Sequence, residues 1–214
     1  WPTHQHAIEV DLQPAKGEEP VVFHDEELDR LLDVKGLVKH YTPAELGRLP
    51  FRETGDRIFG LDDLLATVGG RVPLVVEVKT PFGEPGEYEE VIARACRTYQ
   101  GPLALMSFDH RSLVLLAHLA PAIPLGLLSY RWDDDWMPSL GWWEKMKLRN
   151  LLYRRAVDAA FVAYDIDDLP AGRNEGRDVH GKPFLALRPG LARRRPRRSG
   201  KPPGSALLGG LRIG

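Results

Sequence analysis

Short apolar runs recur along the chain, with longer amphipathic or mixed stretches between them. The runs are Ala7–Leu12, Val21–His24, Leu74–Lys79, Ala104–Ser107, Leu125–Leu128, Ala160–Tyr164 and Phe184–Leu187. Most are continuously apolar rather than alternating, which is the pattern of strands covered on both faces and predicts a parallel sheet. Helices are predicted between them, over Pro43–Leu49, Leu61–Val68, Glu87–Tyr99, Arg111–Leu119 and Leu140–Val157. The first of these opens with Thr42 as N-cap and Glu45 three residues on, a capping-box pattern. Alternating strands and helices predict an α/β fold, and this number of strands points to a (β/α)8 barrel of the TIM type. Such a barrel closes with eight strands, so the sheet is expected to be incomplete. The missing first strand–helix unit is expected ahead of Trp1, because no helix precedes Ala7–Leu12.

Composition narrows the class. With 214 residues, 43% hydrophobic and 28% charged, the chain has the make-up of a soluble domain with one filled core. A formal net charge of −1 gives no reason to expect a nucleic-acid or membrane-surface partner. The charge is unevenly spread: eight of the 29 basic residues and none of the 30 acidic ones fall in 188–214, which leaves 1–187 at −9. The expected organisation is therefore a barrel over 1–187 and a basic Pro/Gly/Arg-rich tail over 188–214 that cannot bury enough surface to order itself. No apolar run approaches the roughly 20 residues of a membrane span. The single cysteine, Cys96, excludes an internal disulfide and a cysteine-rich zinc site; it sits in the apolar pattern of Val91–Tyr99 and is expected to be buried. A reducing, cytoplasmic setting is compatible with it.

Three strand ends carry polar groups that an apolar core strand does not need. Glu9 and Asp11, two apart in Ile8-Glu9-Val10-Asp11, share one face of a strand. They repel unless a cation lies between them, either a salt-bridging Lys or Arg or a hard divalent ion such as Mg²⁺ or Ca²⁺. His24 ends the run Val21–Phe23 and is either a hydrogen-bonded structural residue or a proton-transfer group. Glu77 and Lys79 share a face of Leu74–Lys79, either as an internal salt bridge or as a third carboxylate beside a cation for an anionic substrate. On a β/α barrel all five would meet at the mouth formed by the C-terminal strand ends, an arrangement suited to metal-assisted phosphoryl chemistry.

These residues lie in stretches that closely resemble the glycerophosphodiester phosphodiesterase family: AIEVDLQPAKGEEPVVFHDEELDRL, LVKHYTPAELGRLPF, IFGLDDLL, LVVEVKT and ALMSFDHRSL, over about residues 7–130. FVAYDIDDLP and KPFLAL resemble the family's later strands more weakly. The resemblance implies a barrel hydrolase that cleaves small-molecule glycerophosphodiesters to glycerol 3-phosphate and an alcohol with one divalent cation, Mg²⁺ or Ca²⁺. It implies Glu9, Asp11 and Glu77 as metal ligands, His24 as the proton-transfer histidine and Lys79 at the phosphate. The family's His-Arg-Gly and Glu-Asn-Thr motifs do not occur here; Trp1–His6 precedes the Ala7–Leu12 run instead. The alternative expectation is accordingly a phosphate- or metal-binding barrel without turnover.

Two other groupings stand apart. His4 and His6 form a His-x-His pair, expected to be a solvated terminus rather than an amidohydrolase metal motif, since it precedes its strand. Asp133–Asp135, with Trp132, Trp136, Trp142 and Trp143 nearby, reads either as a lip over the mouth or as a capped helix whose indoles pack on the barrel.

Overall fold

The computed structural model describes residues 6–132, 140–165, 184–187 and 209–212. The architecture is the α/β barrel type. Strand β1 (His6–Pro14) pairs in parallel with β3 (Leu74–Val78), which leads on to β4 (Leu103–Ser107), β5 (Leu125–Ser129), β6 (Phe161–Asp165) and β7 (Phe184–Leu187), each parallel to the last. Helices α2 (Leu61–Val68), α3 (Glu87–Thr98) and α4 (His110–Leu119) cover the outer face of this sheet.

The strand pleat separates two cores. Leu74, Val76, Val78, Leu103, Leu105, Leu125 and Leu127 point outward onto Leu64, Leu65, Ile92, Cys96, Leu113 and Leu116 of the helices. Val75, Met106, Leu128 and Ala163 alternate with them and form the inner layer with Phe108, Tyr130 and Trp132. Strands buried on both faces explain the continuous apolar runs. Cys96 is buried, and burial pushes its thiol up to about 12.

The sheet is mixed rather than wholly parallel, which corrects the expectation for Val21–His24. Strand β2 (Pro20–Val22) returns antiparallel along β1, with Leu12 opposite Val22 and Pro14 opposite Pro20. The turn between them carries Gly17 and Glu18 at positive φ, 84° and 58°. A three-residue apolar run reads the same in a hairpin as in a parallel strand, so direction was not legible. The segment beyond it, through α1 (Pro43–Leu46) to Ile58, has a small core of its own that includes Phe23, Leu28, Leu32, Leu46 and Phe51. Thr42 caps α1 with the reciprocal Glu45 bond that the sequence predicts.

The helix expected over Leu140–Val157 is two pieces, α5 (Trp142–Arg149) and α6 (Arg154–Val157). Asn150 Nδ2 bonds back to the Met146 carbonyl, and Leu151 turns to φ 57°, which a continuing helix cannot accommodate. Trp132 packs inside, but Trp142 and Trp143 are 62% and 73% exposed, so those two indoles do not pack on the barrel. Asp133–Asp135, Trp136 and His4 lie outside the described residues. His6 belongs to β1, and its backbone pairs with that of β8 (Gly209–Arg212), an antiparallel strand on the edge of β1 away from β3. That strand comes from the basic segment 188–214 and has no apolar pattern to announce it. No helix among the described residues is long and apolar enough to cross a membrane.

Two stability predictions arise here. A Cβ on Gly101 would stand 2.6 Å from the Gly70 Cα and 2.5 Å from the Tyr99 ring, where backbone meets backbone. Gly101→Ala is expected to cost about 1–3 kcal/mol, read as a lower urea midpoint at unchanged slope. The second concerns His110, whose ring stacks on Tyr153 at 3.6 Å and 6° and whose Nδ1 is buried with no hydrogen-bond partner among the described residues. Burial holds its pKa below 6.5, with Arg111 and Lys147 adding to the push and Asp109 and Glu144 opposing it. The fold therefore favours neutral His110. Its contribution is complete above pH 6.5 and is lost as pH falls through the lowered folded value. His110→Phe should flatten that part of the stability–pH curve; an unchanged slope would contradict the assignment.

Candidate active site

Glu9 and Asp11 project from one face of β1, and the parallel register sets Asp11 beside Glu77 of β3. One carboxylate oxygen from each of the three lies within 4.8 Å of the other two. Lys79, just past the end of β3, places Nζ 2.9 Å from Asp11 Oδ1 and 2.9 Å from Glu77 Oε1. The Lys79 backbone N–H donates to the Leu12 carbonyl, which ties the end of β3 to β1. Asp11 is held above its ordinary carboxylate value by burial first and by Glu77 second, against the opposing pull of Lys79 and His24. A site that resists the charge of its own carboxylates has unused capacity for positive charge.

His24 reaches this region from the hairpin. Strand β1 runs past the mouth, turns, and comes back, so that the Phe23 N–H bonds to the Asp11 carbonyl and His24 follows directly. Gln13 Nε2 donates to the His24 carbonyl at 3.0 Å and fixes its backbone. The ring is oriented by Asp25, whose Oδ1 is 2.7 Å from His24 Nδ1. Arg30 Nε donates to the other Asp25 oxygen at 2.5 Å. Burial alone would raise Asp25, but the hydrogen bonds from His24 and Arg30 outweigh it and hold the carboxyl at about 2. An ionised Asp25 favours the tautomer of His24 that carries its hydrogen on Nδ1.

Aromatic side chains cluster past the ends of β4 and β5. Phe108 and Tyr130 meet edge to face at 5.8 Å and 84°, and Trp132 lies 4.5 Å from Tyr130. Phe82, from the loop after β3, meets Trp132 at 6.1 Å, with Arg111 5.6 Å above its ring.

Glu9, Asp11, Glu77 and Lys79 are thus brought together, and His24 is near enough to act electrostatically on Asp11. Asp25, Gln13 and Arg30 were not singled out from sequence. Asp25 stands next to His24 and could have been found by asking which group orients the ring; Gln13 and Arg30 depend on the hairpin's return. The donor set fits a hard divalent cation: three carboxylates converge, and no thiol or imidazole is among them.

Comparison with known proteins finds relatives of one family. A curated glycerophosphodiester phosphodiesterase of Bacillus subtilis (strain 168) is 30% identical over 138 residues, 55% of this chain and 47% of the relative. One from Caldanaerobacter subterraneus subsp. tengcongensis is 33% identical over 130 residues, 56% of this chain and 54% of the relative. The chain spans about half the length of these curated relatives. Among solved structures, an Oleispira antarctica phosphodiesterase in complex with the product sn-glycerol-3-phosphate superposes with TM-score 0.62 at 22% identity, over 84% of this chain and 71% of the other. A glycerophosphodiester phosphodiesterase from Agrobacterium tumefaciens gives 0.54 at 21% identity, over 75% and 64%. At such identities the structural matches establish the fold; kinship rests on the sequence, which matches the glycerophosphoryl diester phosphodiesterase family over residues 4–164, and the chain belongs to that family.

Proposed function

We propose that the chain hydrolyses glycerophosphodiesters to glycerol 3-phosphate and an alcohol, with one divalent cation, Mg²⁺ or Ca²⁺, held by Glu9, Asp11 and Glu77. The observation that carries this reading is the convergence of those three carboxylates within 4.8 Å beside Lys79, in a chain of this family. A divalent cation there supplies positive charge to a nonbridging phosphate oxygen and lowers the cost of the charge that develops in the transition state.

The chain's own groups do the remaining work. Lys79 adds a second positive charge from a position fixed by the end of β3, beside the Asp11 and Glu77 carboxylates. His24 transfers the proton: with Asp25 on Nδ1, its Nε2 either protonates the departing alkoxide or takes the proton from the attacking hydroxyl. Phe108, Tyr130 and Trp132 pack together in the inner layer past the ends of β4 and β5. The substrate is a small molecule, and the single buried cysteine suits a cytoplasmic setting.

The test is ³¹P NMR of glycerophosphocholine incubated with the protein and Mg²⁺ or Ca²⁺. Appearance of the sn-glycerol 3-phosphate resonance is expected. Cation binding with no product resonance would instead identify a barrel that binds metal and phosphate without turnover.

A further inference from the structure

Glu89 lies on α3, outside the cluster of carboxylates, and is 0% exposed. Its Oε1 accepts from Thr80 Oγ1 at 2.5 Å and from Ser112 Oγ at 2.8 Å, and its Oε2 accepts from the Gly86 N–H at 2.7 Å. Among the described residues these three donors are its partners, and none is a cation. The Gly86 bond alone would be half of an ordinary capping box. The other two are not needed for a cap: they join the residue after Lys79 to the first turn of α4. Burying a carboxylate with no counter-charge costs more than neutral side chains packed in the same space, so a stability role alone does not account for it.

The same loop is pinned at its centre. Asp109, 2% exposed, accepts from the Gly83 N–H with one oxygen and from the Arg111 N–H at 2.9 Å with the other. Ser107 Oγ donates to the Val78 carbonyl at 2.7 Å and accepts from the Asp109 N–H at 3.2 Å. The segment 78–86 is therefore held from β4, α3 and α4 at Val78, Thr80, Gly83 and Gly86. Lys79 is the member of that segment whose side chain turns inward to Asp11 and Glu77.

We propose that Glu89 is a positioning residue for Lys79: by gripping Thr80 and Gly86 it fixes the start and end of the β3–α3 loop, and so holds the Lys79 ammonium between Asp11 and Glu77. A long, flexible lysine acts as a placed charge only if its Cα cannot drift, and an ångström of drift at a reacting centre costs about 10²-fold. This rests on the phosphodiesterase reading only for its kinetic readout.

The test is a double-mutant cycle on the full chain, comparing kcat/KM for glycerophosphocholine in the unsubstituted protein, Glu89→Gln, Lys79→Met and the double variant. Glu89→Gln should lower kcat/KM by about 10- to 100-fold alone and by less than about twofold when Lys79 is already Met. Equal losses in both backgrounds, or no loss, would overturn the proposal. If Glu89→Gln does not fold, Thr80→Val removes one hydroxyl donor and is judged by the same pattern at smaller size. A readout independent of turnover is the Lys79 Nζ resonance in ¹⁵N-lysine-labelled protein, assigned by its loss in Lys79→Met. In the positioning variant it should move to the position of the solvent-exposed lysines. A resonance that stays in place sinks the idea even if no substrate is turned over, whereas a resonance that moves as expected in a protein that turns over no substrate counts only against the phosphodiesterase reading.

Discussion

Glu77→Ala is expected to lower metal-dependent turnover of glycerophosphocholine by about 10³-fold, the several kcal/mol that a placed divalent cation supplies. Glu77 is only 7% exposed and sits on a strand paired on both sides, so no neighbour can move in to replace its oxygen. Without it Glu9 and Asp11 remain, and Lys79 loses its 2.9 Å contact with Glu77 while keeping the one with Asp11. Two carboxylates and an ammonium balance more nearly to neutrality, which weakens cation binding from both directions. The same variant should lose the stabilisation that saturating Mg²⁺ or Ca²⁺ gives the unsubstituted protein, about 2.7 kcal/mol at a hundredfold excess over Kd. Its melting in EDTA should stay close to that of the parent, because losing the buried ion pair with Lys79 is offset by relief of the repulsion between Glu77 and Asp11. Glu77→Gln, which keeps the volume, should behave as Glu77→Ala does. A Glu77→Ala protein still stabilised and activated by the cation would contradict the ligand assignment.

His24→Ala should cost about 10²–10⁴ in kcat, with metal binding intact. The dependence on leaving group is more informative than the size. Choline or another alkanol leaves as a strong base and needs a proton, whereas p-nitrophenolate leaves unaided. If His24 protonates the departing oxygen, the loss should be large for glycerophosphocholine and small for bis(p-nitrophenyl) phosphate. Equal losses would place its Nε2 on the attacking hydroxyl instead, and no loss on either substrate would remove His24 from the chemistry. Asp25→Asn keeps the 2.7 Å contact but no longer favours a donated Nδ1–H, so it should reproduce part of the His24→Ala defect.

Much of this site was legible because strands buried on both faces leave few places for charge. In Leu74–Val78 a single acid interrupts a wholly buried apolar strand, and the two-residue pleat puts it on the same side as Lys79. The spacing of Glu9 and Asp11 gave their shared face in the same way. That Asp11 and Glu77 meet follows from the convergence of barrel strand ends, but their side-by-side pairing is a matter of register between β1 and β3 that the sequence does not display.

What escaped the sequence did so for identifiable reasons. His24 was expected at the end of a parallel strand, yet it arrives on a hairpin return; the outcome for the mouth is the same because β1 overshoots before it turns. The break at Leu151 is invisible in the apolar spacing of Leu140–Val157, since a single left-handed residue leaves no compositional mark. Strand β8 is Gly209-Gly210-Leu211-Arg212, with neither alternation nor β-branched residues, and it owes its existence to the edge of β1. Glu89 falls in the first turn of the helix predicted over Glu87–Tyr99, and nothing in the sequence singles it out. Two of its three partners lie 9 and 23 residues away, and only the packing of α3 against α4 shows that it is buried.

The most direct measurement is release of sn-glycerol 3-phosphate from glycerophosphocholine by the purified chain with Mg²⁺ or Ca²⁺, then with excess EDTA, then with the cation restored. The account predicts turnover that EDTA stops and the restored cation recovers. Turnover that continues unchanged in EDTA, or none in any condition, would contradict it.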